Sequence, residues 1–159
     1  IQVAKEHNKG IFILVKTSNP LSGEFQNLTF GDKKLYEIIA EKTNEWGKDL
    51  VGKNGYSAIG AVVSATFSNE ITILRKIMPA AYFLVPGYGT QGANIDNLKY
   101  CFNPDGLGAI INASRSLLYA YNISPWKEKY DMEAWKEATR GAVIRMNEDI
   151  RKIAGINLK

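Results

Sequence analysis

The sequence predicts an α/β protein built on a parallel sheet, and three observations carry that reading. Four short apolar runs, at residues 11–15, 58–63, 82–85 and 109–111, are nearly continuous in apolar character, as expected of strands in a parallel sheet whose two faces are both covered by helices. Segments with helical period lie between them. The two kinds alternate, strand then helix, four times, which requires right-handed crossovers and parallel neighbours.

Taken in order, residues 1–9 read as the last turns of a helix that Gly10 stops, with no initiator methionine ahead of them, so the fold is expected to begin further upstream. The strand at 11–15 leads into Lys16-Thr-Ser-Asn-Pro20. The next helix carries an apolar stripe of Leu35, Ile38, Ile39 and Trp46, with Asp32 as candidate N-cap and Gly47 as the stop. After the strand at 58–63, Ser68 is the expected cap of a shorter helix that turns Ile71, Leu74 and either Ile77 or Met78 inward and ends at Pro79. Beyond the third and fourth strands come a brief helical stretch near 116–121, the pair Ser124-Pro125, and a long amphipathic segment over about 131–153. Its stripe is Met132, Trp135, Ala142, Met146, Ile150 and Ile153; Gly141 interrupts it at a cost of roughly 1 kcal/mol relative to alanine, and Gly155 closes it. No linker divides the 159 residues, which suit one domain.

Composition removes whole classes of function. A chain with 45% hydrophobic and 23% charged residues and no low-complexity tract is an ordinary globular sequence. The apolar runs are far short of the roughly 20 residues a membrane span needs, and the amino terminus lacks the apolar core of a signal peptide, so a cytoplasmic protein is expected. The single cysteine, Cys101, forms no internal disulfide and sits on an apolar face, where a core role is expected over a reactive thiol. The lone His7 lies in the charged tail and is read as facing solvent. One histidine and one cysteine leave no metal cluster and no nucleophile triad. The net charge of +4 and pI near 9.1 suit an anionic ligand, yet the lysines are dispersed and the aromatics do not interleave with arginines, so nucleic acid is not the expected partner.

In a parallel α/β protein ligands bind at the carboxyl ends of the strands. The segments there are 16–20, Ser64-Ala-Thr-Phe-Ser68, Pro86-Gly-Tyr-Gly-Thr-Gln-Gly92 and Asn112-Ala-Ser-Arg-Ser116, all polar and rich in small residues. Turn chemistry alone accounts for part of this. The glycine loop asks for more: Gly87, Gly89 and Gly92 permit positive φ, so their N–H groups can point at one anion ahead of the next helix. That helix terminus would add roughly 0.3 to 1 kcal/mol, and Arg115 could add a bidentate contact. A glycine loop after one strand and an arginine after the next is the layout of phosphate sites in the last two units of a (β/α)8 barrel, which makes these the last four of eight strands. The loop also spells G-x-G-x-x-G, a dinucleotide fingerprint, but the acidic residue expected about 20 positions later is absent; NADP binding in a Rossmann-type oxidoreductase remains the runner-up. A noncatalytic, phosphate-binding half barrel is a third possibility, and its open sheet edges would favour pairing. Lys16 at a strand end is either a Schiff-base lysine or, the favoured reading, a lysine paired with a carboxylate.

At these four loops the sequence resembles the branch of the orotidine monophosphate decarboxylases carrying V-K-T-S-N-P, G-A-x-x-x-A-T-F, F-L-V-P-G-Y-G-x-Q-G and G-A-I-I-N-x-S-R, which stand here at 15–20, 60–67, 83–92 and 108–115. The match is in order and covers essentially the whole chain. The resemblance implies the carboxyl-terminal half of a (β/α)8 barrel that works without a cofactor. It implies that Ser18 bonds the amide edge of the pyrimidine and Gln91 bridges phosphate and base. Arg115 and the amides of Ser114 and Arg115 would hold the phosphate, with Pro86 lining the pocket and Thr17, Asn19, Gly87, Gly89 and Gly92 in support. The resemblance places the catalytic lysine and aspartates in the amino-terminal half, outside this chain, and suggests a homodimer of full-length chains that bind orotidine and uridine 5'-phosphates.

Overall fold

The computed structural model describes residues 1–89 and 95–155. Six strands are present in that range: β1 (Ile11–Lys16), β2 (Thr29–Phe30), β3 (Lys33–Lys34), β4 (Ile59–Val63), β5 (Phe83–Pro86) and β6 (Ala109–Asn112). β2 and β3 form a two-residue antiparallel ribbon. The other four form one sheet in the order β1-β4-β5-β6, every pair parallel. Each lies within one residue of the apolar run that predicted it. Spatial order follows chain order without a reversal, as in a barrel; a doubly wound sheet reverses where its dinucleotide sits.

The helices are α1 (Gln2–Glu6), α2 (Ser22–Gln26), α3 (Leu35–Gly47), α4 (Ser68–Ile77), α5 (Arg115–Leu118) and α6 (Trp135–Ala154), with 3-10 turns that include Ile95–Cys101, Ala120–Asn122 and Trp126–Glu128. The core lies on one face of the sheet. Val15, Ala61, Val63, Phe83 and Val85 pack there against Tyr36 and Ala40 of α3, Ile71 and Leu74 of α4, and Met78, Leu98 and Cys101. Burial pushes the Cys101 thiol up to about 12, which fits a core cysteine.

The opposite face corrects the expectation that helices cover both sides. Phe12, Leu14 and Ile110 are exposed, Leu14 by 59%. Alternate residues of a strand point to opposite faces, so unbroken apolar runs require two apolar environments. In a barrel the second one is supplied by side chains of strands across the lumen. Gly60 belongs to this face: a Cβ there would lie 2.5 Å from the Phe12 ring and 2.8 Å from the Tyr82 carbonyl oxygen.

Helix faces differ from the sequence stripes in detail. α3 buries Tyr36, Ala40, Thr43 and Gly47, while Leu35, Ile38 and Ile39 are half-buried and Trp46 is 44% exposed. Small residues win because the helix approaches the 57–59 segment closely; a Cβ on Gly47 would meet Ser57 Oγ at 2.5 Å. Its N-cap is Lys34, whose N–H donates to Glu37 Oε2 at 2.7 Å, and not Asp32, because the β2–β3 ribbon runs up to Lys34. In α4 the N-cap is Phe67 without a side-chain cap bond, so Ser68 does not cap; Ile71 and Leu74 are buried as expected, and Met78 fills the third position.

α6 starts at Trp135, later than expected, leaving Met132 71% exposed and Trp135 exposed as well. Its buried face is Ala138, Ala142 and Met146, with Ile150 and Ile153 half-buried. Gly141 is a packing requirement rather than a tolerated interruption: a Cβ would sit 2.5 Å from the Trp126 ring. Gly155 closes the helix in the left-handed conformation, as read from the sequence. At the other end of the chain Asn8, with φ 51°, takes the left-handed position expected of Gly10. Gly10 instead comes close to Ala58, whose carbonyl oxygen would lie 3.0 Å from a Cβ. His7 is exposed.

Candidate functional site at the carboxyl ends of the strands

β1 ends in a lysine that the fold buries. Lys16 is 4% exposed, donates to Asn27 Oδ1 at 2.6 Å, lies 3.5 Å from Glu70 Oε1, and stands 4.7 Å above the Tyr36 ring. A buried ammonium needs such partners, because losing its hydration costs several kcal/mol. The paired reading of Lys16 therefore holds, with Glu70 in the first turn of α4 as the carboxylate. Sequence reasoning had no means of locating Glu70, which lies 54 positions further on (70 − 16).

The segment after Lys16 is braced by α2. Gln26 accepts from the Thr17 N–H at 3.1 Å and donates to Thr17 Oγ1 at 3.0 Å; Thr17 Oγ1 donates to Asn19 Oδ1; and Ser22 Oγ donates to the Thr17 carbonyl at 3.3 Å. Thr17 and Ser18 are half-buried here and Asn19 is exposed. Thr17 and Asn19 are thus occupied in shaping the loop that carries Ser18. After β4, Ser64 and Thr66 share a hydroxyl hydrogen bond of 2.6 Å, and Asn97 donates to the carbonyls of Ala65 and Thr66 at 3.2 and 3.1 Å. The 95–101 turn is thereby fastened to the neighbouring strand end.

The segments after β5 and β6 meet. Pro86 pairs with Asn112 in register, and the Asn112 carbonyl accepts from both the Gly87 and Tyr88 N–H groups, at 3.1 and 3.3 Å. Ser116 Oγ donates to the Tyr88 carbonyl at 3.1 Å. Gly87 and Gly89 have φ of 97° and 83°, which a side chain would strain. Arg115, an exposed side chain, opens α5 directly after the Ser114 N-cap, and Pro86 is half-buried.

Two expectations change. The Gly87 amide is spent on Asn112 and does not point at a free anion, and the described segment that follows the loop, Ile95–Cys101, is a 3-10 turn and not the expected α-helix. Gly87 secures the join of two strand ends; its positive φ serves that contact. Gln91 and Gly92 lie outside the described residues. The site residues missed in the sequence are Gln26, Glu70, Asn97 and Ser116. Only the last, directly after the N-x-S-R motif, carried a local signal.

Strand order and rim define the class: a segment of a (β/α)8 barrel with a polar rim at the carboxyl ends of its strands. Among known proteins, the orotidine 5'-phosphate decarboxylase of Caldicellulosiruptor saccharolyticus is 50% identical over 121 residues, which is 76% of this chain and 40% of that protein. The solved structure of Leishmania donovani UMP synthase superposes with a TM-score of 0.74 at 31% identity, covering 98% of this chain and 30% of that one. A structure of the orotidine-monophosphate decarboxylase ascribed to Toxoplasma gondii gives a TM-score of 0.69 at 35% identity over 89% of this chain and 54% of its own. No protein-family model matches the chain. It belongs to the orotidine 5'-phosphate decarboxylase family and spans about half the length of the curated relatives it matches, consistent with a carboxyl-terminal half. The dinucleotide reading is set aside on the strand order and on this kinship.

Proposed function

We propose that the complete protein decarboxylates orotidine 5'-phosphate to uridine 5'-phosphate without a cofactor, and that this chain supplies the grip on phosphate and pyrimidine. The observation that supports this best is the join of the two last strand ends, in which Asn112 and Ser116, on either side of Arg115 in the chain, both bond the backbone of the glycine loop. In this reading Arg115 holds the phosphate by charge-assisted hydrogen bonds, helped by the amides of Ser114 and Arg115 and by Gln91, with Pro86 against the ligand. Ser18, on a loop stiffened by Thr17, Asn19 and Gln26, reads the amide edge of the base. Gly87, Gly89 and Gly92 give the loop its shape. The reacting lysine and aspartates belong to the other half, as the family resemblance implies.

Phosphate lies far from the reacting carbon, and its binding energy can still lower the barrier by closing and ordering the site. The open face with Phe12, Leu14 and Ile110 fits a chain that is completed by the remaining strands of the barrel. Among the described residues no helix is long and apolar enough to cross a membrane; a cytoplasmic homodimer of complete chains is part of the proposal.

The test is release of carbon dioxide from orotidine 5'-phosphate by the full-length protein and its Arg115→Ala variant. A bidentate contact to phosphate should be worth about 3 kcal/mol, near 100-fold in kcat/KM. Turnover of the phosphate-free nucleoside should be unaffected. Equal kinetics of variant and wild type on the phosphorylated substrate would remove Arg115 from the site.

A further inference from the structure

The glycine loop after β5 contains one aromatic side chain, Tyr88, and the fold uses it. Tyr88 stands between the two positive-φ glycines, its ring half-buried against the main core. Its hydroxyl donates to Asp149 Oδ2 at 3.0 Å. Asp149 belongs to α6, 61 residues away along the chain, and Arg145 one turn earlier donates from Nε to the same oxygen at 3.3 Å. The backbone of Tyr88 is fixed from the other side, its N–H to the Asn112 carbonyl and its carbonyl to Ser116 Oγ. Gly89 is pressed so close to Ser116 that a Cβ would lie 3.2 Å from that side chain. A cavity of about 540 Å³ runs behind the loop, lined among others by Tyr88, Ser116, Arg145 and Asp149. Beside that cavity the Tyr88–Asp149 hydrogen bond adds a polar tie between the loop and α6 to the packing of the Tyr88 ring on the core.

We propose that Tyr88 and Asp149 are positioning residues for the phosphate grip: the Tyr88–Asp149 hydrogen bond moors the Pro86–Gly89 segment to α6 and so holds the start of the phosphate loop in its binding geometry. The inference rests on the phosphate-site reading given above. The physical basis is preorganisation. A loop already held in place loses less conformational freedom when ligand binds, and affinity rises without any new contact to the ligand. Neither residue needs to touch the phosphate. Loss of one hydrogen bond of this kind, worth about 0.5–1.5 kcal/mol, corresponds to a roughly 2- to 12-fold change in affinity.

The experiment is calorimetric titration of the full-length protein with uridine 5'-phosphate, and a competition measurement with uridine, for wild type, Tyr88→Phe, Asp149→Ala, Asp149→Asn and the double variant Tyr88→Phe/Asp149→Ala. Tyr88→Phe and Asp149→Ala should each weaken the monophosphate by about 2- to 12-fold and leave uridine unchanged. The double variant should be no weaker than either single one. Asp149→Asn keeps an oxygen that can accept from the tyrosine and should bind like wild type, which separates mooring from general loss of structure. Equal weakening of monophosphate and uridine would mark a merely structural contact and overturn the proposal, as would unchanged monophosphate binding. If wild type itself does not bind the monophosphate, the phosphate-site reading fails and this inference fails with it, a result distinct from wild-type binding that the variants do not alter.

Discussion

Arg75 offers the sharpest test of how the strand ends are held. Its guanidinium reaches under β5 and β6 and donates to four carbonyls: Nη1 to Met78 and Ala81 at 3.1 and 2.7 Å, Nη2 to Cys101 and Gly108 at 2.6 and 2.8 Å. It also lies 3.6 Å from the Phe83 ring centroid. Burial lowers its pKa to about 10, still far above neutrality, so the clamp is charged under ordinary conditions. Replacing it by methionine preserves the stem and removes the fork. The Met78 and Gly108 carbonyls keep a second donor, the N–H groups of Ala81 and Phe83. The penalty falls chiefly on the Ala81 and Cys101 carbonyls, at about 1–3 kcal/mol each. Relief from burying a charge offsets part of it, which leaves a net loss of about 2–4 kcal/mol. Urea unfolding of wild type and Arg75→Met measures it, with Arg75→Lys expected to recover only a fraction because an ammonium lacks the planar fork. A variant within about 0.5 kcal/mol of wild type would refute the clamp, since an unexplained surface substitution does no more than that.

Two further outcomes follow from packing and charge. Burial raises Tyr36 and Tyr88 to about 12 from an ordinary value of 10.0, with nearby Glu37 and Asp149 adding to the respective shifts. Between those values the unfolded chain releases the phenolic protons while the folded chain keeps them. Stability should therefore be undiminished by these groups below about pH 10 and fall as pH rises towards about 12. Urea midpoints across that range should show a shallower fall in Tyr36→Phe than in wild type. For Gly141→Ala, helix propensity gains about 1 kcal/mol, but a Cβ 2.5 Å from the Trp126 ring should cost about 1–3 kcal/mol by overpacking. A lower melting temperature is expected, and a higher one would show that Trp126 moves aside freely.

Periodicity marked the four parallel strands to within one residue because burial of a parallel strand leaves a continuous apolar run in the sequence itself. It marked the helices less well. The Leu35, Ile38, Ile39 and Trp46 stripe of α3 is amphipathic in the ordinary sense, yet Ala40, Thr43 and Gly47 make the close contacts, since distance to the sheet selects for size as much as for polarity. In the same way Gly141 looked like a defect and is a seat for Trp126. Neither could be read locally, because the neighbour that sets the size limit is supplied by a different part of the chain.

The candidate site divides along the same line. The loops themselves were legible, because glycines with positive φ, a proline and an arginine after a strand are local chemical signals. Their fastenings were not: Glu70 for Lys16, Gln26 for Thr17, Asn97 for the 65–66 turn and Asp149 for Tyr88. The sequence alone determined the four long strands, their parallel order and the chemical character of the rim, since each follows from short-range period and residue type. Tertiary structure alone decided which face stays open, where the Gly87 amide is spent and what holds each loop. Those are properties of residues brought together from separate stretches of chain, and no local pattern encodes the distance between them.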